Sequence, residues 1–198
     1  MKVALIGAGG HGKVVCRVAQ RAGHEVVGFF DDFAQGSVLG VPVLGPLRAG
    51  EPDWFYFVSL GDNRRRRAVF EQLLEWKLPL ATLIDPSAVL DETVTVGEGT
   101  VVMAGVVVNV DTRIGRNCIL NTGCSVDHDG VIEDHAHLCP GTHLAGTVRV
   151  GEAAMLGTGC SVIPGRRIGA GTVVGAGAAV VRDLPENVVA TGVPARVR

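Results

Sequence analysis

The stretch VLDETV TVGEGT VVMAGV VVNVDT RIGRNC ILNTGC SVDHDG VIEDHA HLCPGT HLAGTV RVGEAA MLGTGC SVIPGR RIGAGT VVGAGA AVVRDL, Val89 to Leu184, divides into sixteen blocks of six. Every block carries Leu, Ile or Val in its second slot, from Leu90, Val96 and Val102 through to Val174 and Val180. At roughly a one-in-three chance per slot, an unbroken run of this length would arise by accident on the order of once in ten million, so the period is structural. Six residues is not the period of an amphipathic helix, whose apolar positions recur at three and four. It suits a parallel β-helix, in which each block is a short strand plus a corner and the branched side chains stack in columns inside a narrow prism. Three blocks close one coil, so residues eighteen apart lie one above another. The sixth slot is small in most blocks, as at Thr100, Cys118, Cys124, Gly130 and Ala136. Glycine fills the third at Gly97, Gly115, Gly151, Gly157, Gly169 and Gly175. A corner there needs either positive φ or a close approach of backbones.

Ahead of the repeat, Lys2 to Ile6 reads as a strand, Gly7-Ala8-Gly9-Gly10-His11-Gly12 as a loop, and Val14, Val15, Val18 and Ala19 as the apolar face of a helix. Strand, glycine loop and helix in that order present backbone N–H groups and a helix N-terminus to phosphate. Gly7, Gly9 and Gly12 match the dinucleotide fingerprint, with Asp31 and Asp32 about twenty residues on. Some 85 residues before the repeat are too few for the two βαβαβ halves of a dinucleotide fold, so a mononucleotide or nucleotide sugar is expected. Further strands are expected at Val26 to Phe30, Val41 to Leu44 and Trp54 to Leu60. A helix from about Arg64 to Trp76 is expected to bury Ala68, Val69, Leu73 and Leu74, with its Arg64-to-Arg67 run in solvent. Leu83 to Pro86 leads into the prism, which gives two domains, 1–85 and 86–198.

With 47% hydrophobic residues and a net charge of −2, the chain has a real core and no global attraction to nucleic acid or a membrane surface. The five cysteines are odd in number and lack paired ligand spacing, which reads as buried thiols. The N-terminal apolar run is too short for a signal peptide and nothing approaches a membrane span, so a cytoplasmic protein is expected.

Polar side chains crowd into the seventh to tenth blocks: Asp127, His128, Asp129, Glu133, Asp134, His135, His137 and His143, with Asn121 just before. Histidine is suited to act as a base near neutral pH, and an adjacent carboxylate, here Asp129, orients the ring and stabilises its charged form. Zinc held by histidines is the competing chemistry. Against it, His137 and His143 occupy the same slot in successive blocks and so point in different directions. A scaffold without catalysis stays open too.

The repeat, with its closing segment Gly192-Val193-Pro194-Ala195-Arg196, resembles the hexapeptide-repeat acyltransferases, whose parallel β-helix is left-handed. The general preference for right-handed crossovers would have given the other hand. Adding the GAGGHGK loop, the FFDD pair, the VSLGDN segment and the VDHD block, nearly the whole chain is similar to the nucleotide-sugar N-acetyltransferases of bacterial glycan assembly. Those that acetylate a UDP-linked 4-amino sugar on the way to diacetylbacillosamine are the nearest branch; related members are sialic acid O-acetyltransferases. The resemblance implies an N-terminal α/β Rossmann-like domain holding UDP, a prism that forms homotrimers, and acetyl-CoA as co-substrate in the groove between prisms, with no metal. It places His128 as general base and Asp129 beside it, where some members have Glu. Gly9, Gly10, His11 and Gly61 fall near the diphosphate and Asp31 and Asp32 near the uracil. Asn121, His137, Gly146, Gly157, Thr158 and Ala176 fall along the acetyl-CoA groove, with the Gly146 N–H at the thioester oxygen. O-acetylation of sialic acid or another sugar is the alternative reaction, and a zinc β-helix protein of the γ-carbonic anhydrase type the alternative of another class.

Overall fold

A computed structural model describes residues 1–51 and 53–198. The N-terminal part runs β1 (Lys2–Ile6), α1 (Gly10–Arg21), β2 (Glu25–Phe30), β3 (Ser37–Val38), β4 (Val41–Pro42), β5 (Trp54–Val58) and α2 (Asn63–Glu75). Three parallel strands lie in the order β2-β1-β5, so the first strand is central and apolar on both faces. Alternation sends Val3 and Leu5 to one side, with Val15, Val18 and Ala19 of α1, and Ala4 and Ile6 to the other, with Phe70 and Leu73 of α2. The expected third strand is a two-residue piece, β4, paired antiparallel with β3, and β5 stops at Val58.

The α2 helix corrects the sequence reading in one respect. Its buried residues are Arg66, Phe70 and Leu73; Ala68 is exposed and Val69 and Leu74 are half-buried. Arg64, Arg65 and Arg67 do face solvent, but Arg66 is 1% exposed. Asp62 caps the helix by accepting from the Arg65 N–H at 2.8 Å, and this start sets the phase that turns Arg66 inward.

The prism begins with β6 (Leu83–Ile84), which pairs with Val101–Val102, and each of the sixteen blocks then contributes a two-residue strand from its first two slots. Partners lie eighteen residues apart, as Ser125 with Val107 and His143. Three parallel sheets result. The Ile119 face holds Leu83, Val101, Ile119, His137, Met155 and Val173 in its outward slots; the Ser125 face holds Val89, Val107, Ser125, His143, Ser161 and Ala179; the Arg113 face holds Thr95, Arg113, Val131, Arg149 and Arg167. The second-slot side chains fill the interior, Leu120, Val126, Ile132, Leu138 and Leu156 among them. After β23 (Val189–Thr191), β24 (Arg196–Val197) turns back antiparallel against it.

Left-handed backbone falls in the fifth slot of the block, without a break from Gly99 (φ 74°) to Gly177 (φ 65°). The third-slot glycines serve the other purpose. A Cβ on Gly97 would lie 2.5 Å from the Gly115 carbonyl carbon, and one on Gly157 2.6 Å from the Ala176 nitrogen, so successive coils touch there through bare backbone.

The two parts share a core. Val101, Met103 and Ile119 of the prism pack with Val15 and Ala19 of α1, so the N-terminal part seats on the lower Ile119 face. Arg66 fastens the α2 side: its Nε donates to the Asn117 carbonyl at 3.0 Å and its Nη2 to the His135 carbonyl at 2.6 Å. On the α1 side Arg21 pairs with the buried Asp85 at 3.0 Å.

Candidate active site

His128 sits in the fourth slot of its block, on the corner between the Ser125 and Arg113 faces. Its Nδ1 is 2.8 Å from Asp129 Oδ2. Asp129 occupies the left-handed slot with φ 56°, a conformation Asp tolerates better than most residues and one that brings its carboxylate to the preceding ring. The Asp129 hydrogen bond, more than any other influence, raises the His128 pKa above its ordinary 6.5. Both side chains are more than half exposed, so the dyad opens to whatever covers this corner. Below it, Asp127 accepts from the His128 N–H and from Asn109, both at 2.9 Å, and fixes the turn.

One coil on, Gly146 lies directly against the ring. A Cβ added there would overlap Nε2 and Cε1 of His128. Among the described residues no acceptor takes the Gly146 N–H. The corner therefore offers an imidazole Nε2 and a free backbone donor side by side, a base next to a site for a developing oxyanion.

A second group of expected residues gathers on the other edge of the Ser125 face, where it meets the Ile119 face. Asn121, Gly157, Thr158 and Ala176 follow three strands of the Ile119 face, Ile119–Leu120, Met155–Leu156 and Val173–Val174, and Asn121 Nδ2 is 3.3 Å from His137 Nε2. His137 is 6% exposed and its Nδ1 is buried without a partner. The N-terminal glycine loop delivers His11 to the same place: the two rings are 6.3 Å apart, and His11 Nε2 is also buried and unpartnered. Burial lowers the His137 pKa to about 3 and that of His11 to about 4, helped by the Arg66 charge, so both rings are neutral at pH 7. A Cβ added to Gly61 would lie 3.9 Å from Cγ of the His11 ring, in ordinary contact.

Gly9 and Gly10 begin α1 with open space where side chains would be. Asp31 Oδ2 accepts from the Ala8 N–H at 2.9 Å and Oδ1 from Phe33 and Ala34, so this carboxylate holds the glycine loop in place and stays ionised below its usual range. Asp32 is exposed beside it.

Several polar residues of the blocks brace corners. Asp134 accepts from the Arg116 N–H at 2.7 Å and Glu133 from the Glu152 N–H at 3.0 Å. His135 is 5% exposed, bonded to Asn117 at 2.8 Å and packed edge-on against Phe70. Arg66 escaped notice because nothing in a run of four arginines marks which one turns inward. Its signal was the Asp62 cap, which sets the helical phase. Among the described residues no group of three or more His, Cys, Asp or Glu is placed to hold a metal ion, and His137 and His143 lie on different faces.

A six-residue repeat folded as a parallel prism behind a small parallel α/β layer, with a His–carboxylate pair on one corner, defines the class of β-helix acyltransferases. The comparisons agree. Residues 2–73 match the family model described as PglD N-terminal domain. The chain is 42% identical over 110 residues to the UDP-N-acetylbacillosamine N-acetyltransferase of Bacillus subtilis, covering 52% of this chain and 51% of that relative, so the match spans about half of the relative's length. Among solved structures, the acetyltransferase domain of PglB from Neisseria gonorrhoeae aligns with TM-score 0.96 at 37% identity, over 100% of this chain and 99% of that one. PerB from Caulobacter crescentus, in complex with CoA and GDP-perosamine, aligns with TM-score 0.94 at 46% identity, over 100% and 97%. The chain belongs to the hexapeptide-repeat acyltransferase family, with its left-handed β-helix and N-terminal Rossmann-like domain.

Proposed function

We propose that the protein is an acetyl-CoA-dependent N-acetyltransferase acting on the amino group of a nucleotide-linked amino-deoxy sugar, at sites formed between copies of the chain. The observation that carries this is the separation of the two halves of the site. His128 and Gly146 stand on one edge of the Ser125 face, and His11, Asn121 and His137 on the other, a full face away. No single prism brings them together.

The Ser125 face supplies the reason to assemble. Its outward column of Val89, Val107, Ser125, His143, Ser161 and Ala179 carries no carboxylate, lysine or arginine, whereas the outward column of the Arg113 face holds Arg113, Arg149 and Arg167 and the lower Ile119 face is covered by α1. Packing three Ser125 faces around an axis sets the His128 edge of each copy against the His137 edge of the next, a head-to-tail contact that closes as a ring. That arrangement supports the homotrimer implied by the resemblance.

In this groove the sugar amine attacks the thioester carbonyl carbon. His128 Nε2 takes the amine proton, Asp129 stabilises the resulting imidazolium through Nδ1, and the Gly146 N–H donates to the oxyanion. Collapse of the intermediate breaks the C–S bond and the thiolate of CoA leaves with the proton. General-base help is worth roughly a hundred- to ten-thousand-fold, and alignment of the two substrates contributes the rest. An acyl-enzyme on Cys139 has little support, since that thiol is 5% exposed and its pKa is raised by burial. Acetyl-CoA is an intracellular metabolite, which supports the cytoplasmic location expected from the sequence; no described helix is long and apolar enough to cross a membrane.

The function is tested by free-thiol release from acetyl-CoA against UDP-, GDP-, CMP- and dTDP-linked amino sugars, with His128→Ala alongside. Turnover with a nucleotide-linked amino sugar and its loss in the variant are expected. Activity with unlinked sialic acid alone would replace it with O-acetylation.

A further inference from the structure

A cleft of about 310 Å3 lies beyond the carboxyl ends of β1 and β2, where ligands of open α/β sheets bind, and takes no part in acetyl transfer. Gly7, Asp31, Asp32, Phe33, Arg65 and Gln72 are among its lining residues. Its size is at the small end of the roughly 300–1,000 Å3 range of ligand sites, enough for one flat ring system. Phe33 is 84% exposed, the most exposed large apolar side chain among the described residues, and it offers an aromatic face with nothing on it. Aromatic side chains so placed stack bases of any sequence and do not by themselves choose between them.

The choice lies with the acidic pair. Asp31 has both oxygens committed to backbone N–H groups of the glycine loop and of the turn at Phe33 and Ala34. Asp32 is exposed and makes no hydrogen bond to another described residue, so one carboxylate remains to meet a base edge. A carboxylate only accepts, through two oxygens held side by side. Guanine presents two adjacent donors, N1–H and the exocyclic N2–H, at that spacing. Uracil and thymine present one N–H between two carbonyl oxygens, and adenine and cytosine place a bare ring nitrogen beside the amine; in each, one carboxylate oxygen would face a lone pair. Arg65 and Gln72, from α2 across the cleft, supply N–H donors for the guanine O6.

We propose that this cleft is a guanine-reading site, with Phe33 stacking on the base and Asp32 accepting from N1–H and N2–H, and that the acceptor is a GDP-linked amino sugar. This rests on the nucleotide-linked acceptor argued above, and it replaces the uracil implied by the sequence resemblance.

The test is calorimetric titration of the full chain with GDP and with UDP, repeated for Asp32→Asn and Phe33→Ala. GDP is expected to bind at least about tenfold tighter than UDP, in line with the discrimination of one bidentate pair. Asp32→Asn should weaken GDP and leave UDP, narrowing the ratio to within about threefold, while Phe33→Ala should weaken both. UDP binding as tightly as GDP, or a ratio unmoved by Asp32→Asn in a variant that still melts cooperatively, would overturn the guanine assignment. Binding of neither nucleotide, with thiol release from acetyl-CoA to an unlinked sugar, would instead overturn the nucleotide-linked acceptor itself.

Discussion

Gly146→Ala separates chemistry from folding more cleanly than removal of the base does. The three atoms nearest an added Cβ all belong to the His128 ring, so the new methyl and the imidazole compete for one place. His128 is exposed and free to swing out, whereas Gly146 has ordinary backbone with φ outside the left-handed region, so the side chain yields and the coil does not. Swinging out breaks the 2.8 Å contact with Asp129 and withdraws Nε2 from the groove. A displaced general base costs about a hundred- to ten-thousand-fold in kcat, or ~3–5 kcal/mol of transition-state stabilisation. The fold should hardly notice, since Gly→Ala at a compatible position changes stability by about 0.4–1 kcal/mol, in the stabilising direction. The assay pairs steady-state thiol release with thermal melting. Gly157→Ala is the control of opposite sign: its Cβ would meet backbone atoms of Val174, Gly175 and Ala176 at 2.6 to 2.8 Å, so it should lose stability. A Gly146→Ala enzyme with kcat within about threefold of the parent would refute the placement of His128 as base.

Other perturbations have equally definite outcomes. Asp129→Asn keeps a residue that accepts left-handed backbone but puts a neutral amide in place of the carboxylate that raises the His128 pKa. Because the base works when neutral, the acidic limb of the kcat/KM profile should move to lower pH while the plateau falls; an unmoved limb would show that Asp129 does not govern the ring. Arg66→Met leaves the Asn117 and His135 carbonyls without their buried donor, at about 1–3 kcal/mol each, so the denaturant midpoint should drop by an amount worth roughly 2–6 kcal/mol. His137 has a folded pKa near 3, below its unfolded 6.5, so its contribution is present above pH 6.5 and is lost as pH falls from there toward 3. In His137→Gln the acid-side decline of stability should be shallower, by at most about 1.4 kcal/mol per pH unit, as read from melting curves at successive pH values.

The prism was legible because a two-residue strand has one inward side chain, and sixteen successive inward slots hold a branched residue. The left-handed slot was less legible. Glycine, Asp, Asn, His, Thr and Ala all occupy it, so it is a position fixed by coil geometry that tolerates several chemistries. That tolerance hid the corner role of Asp129, whose carboxylate the sequence already set beside His128. Neither His137, in an outward slot, nor His135, in a corner slot, could be read as buried from the repeat, since both face solvent until another element covers them, and here the glycine loop and α2 do so. Asp31 and Asp32 look alike in sequence; only the three backbone hydrogen bonds to Asp31 distinguish a brace from a free carboxylate.

The account stands most directly on the claim that each site takes His128 from one copy and His137 from the next. His128→Ala, expected to lose the base, and His137→Ala, expected to lose acetyl-CoA binding, are co-expressed with different tags, and mixed assemblies are isolated and assayed for thiol release. In every mixed trimer one site in three pairs an intact His128 edge with an intact His137 edge, so about a third of the parent activity should return. Mixed assemblies as inactive as either parent variant would contradict a site shared between subunits.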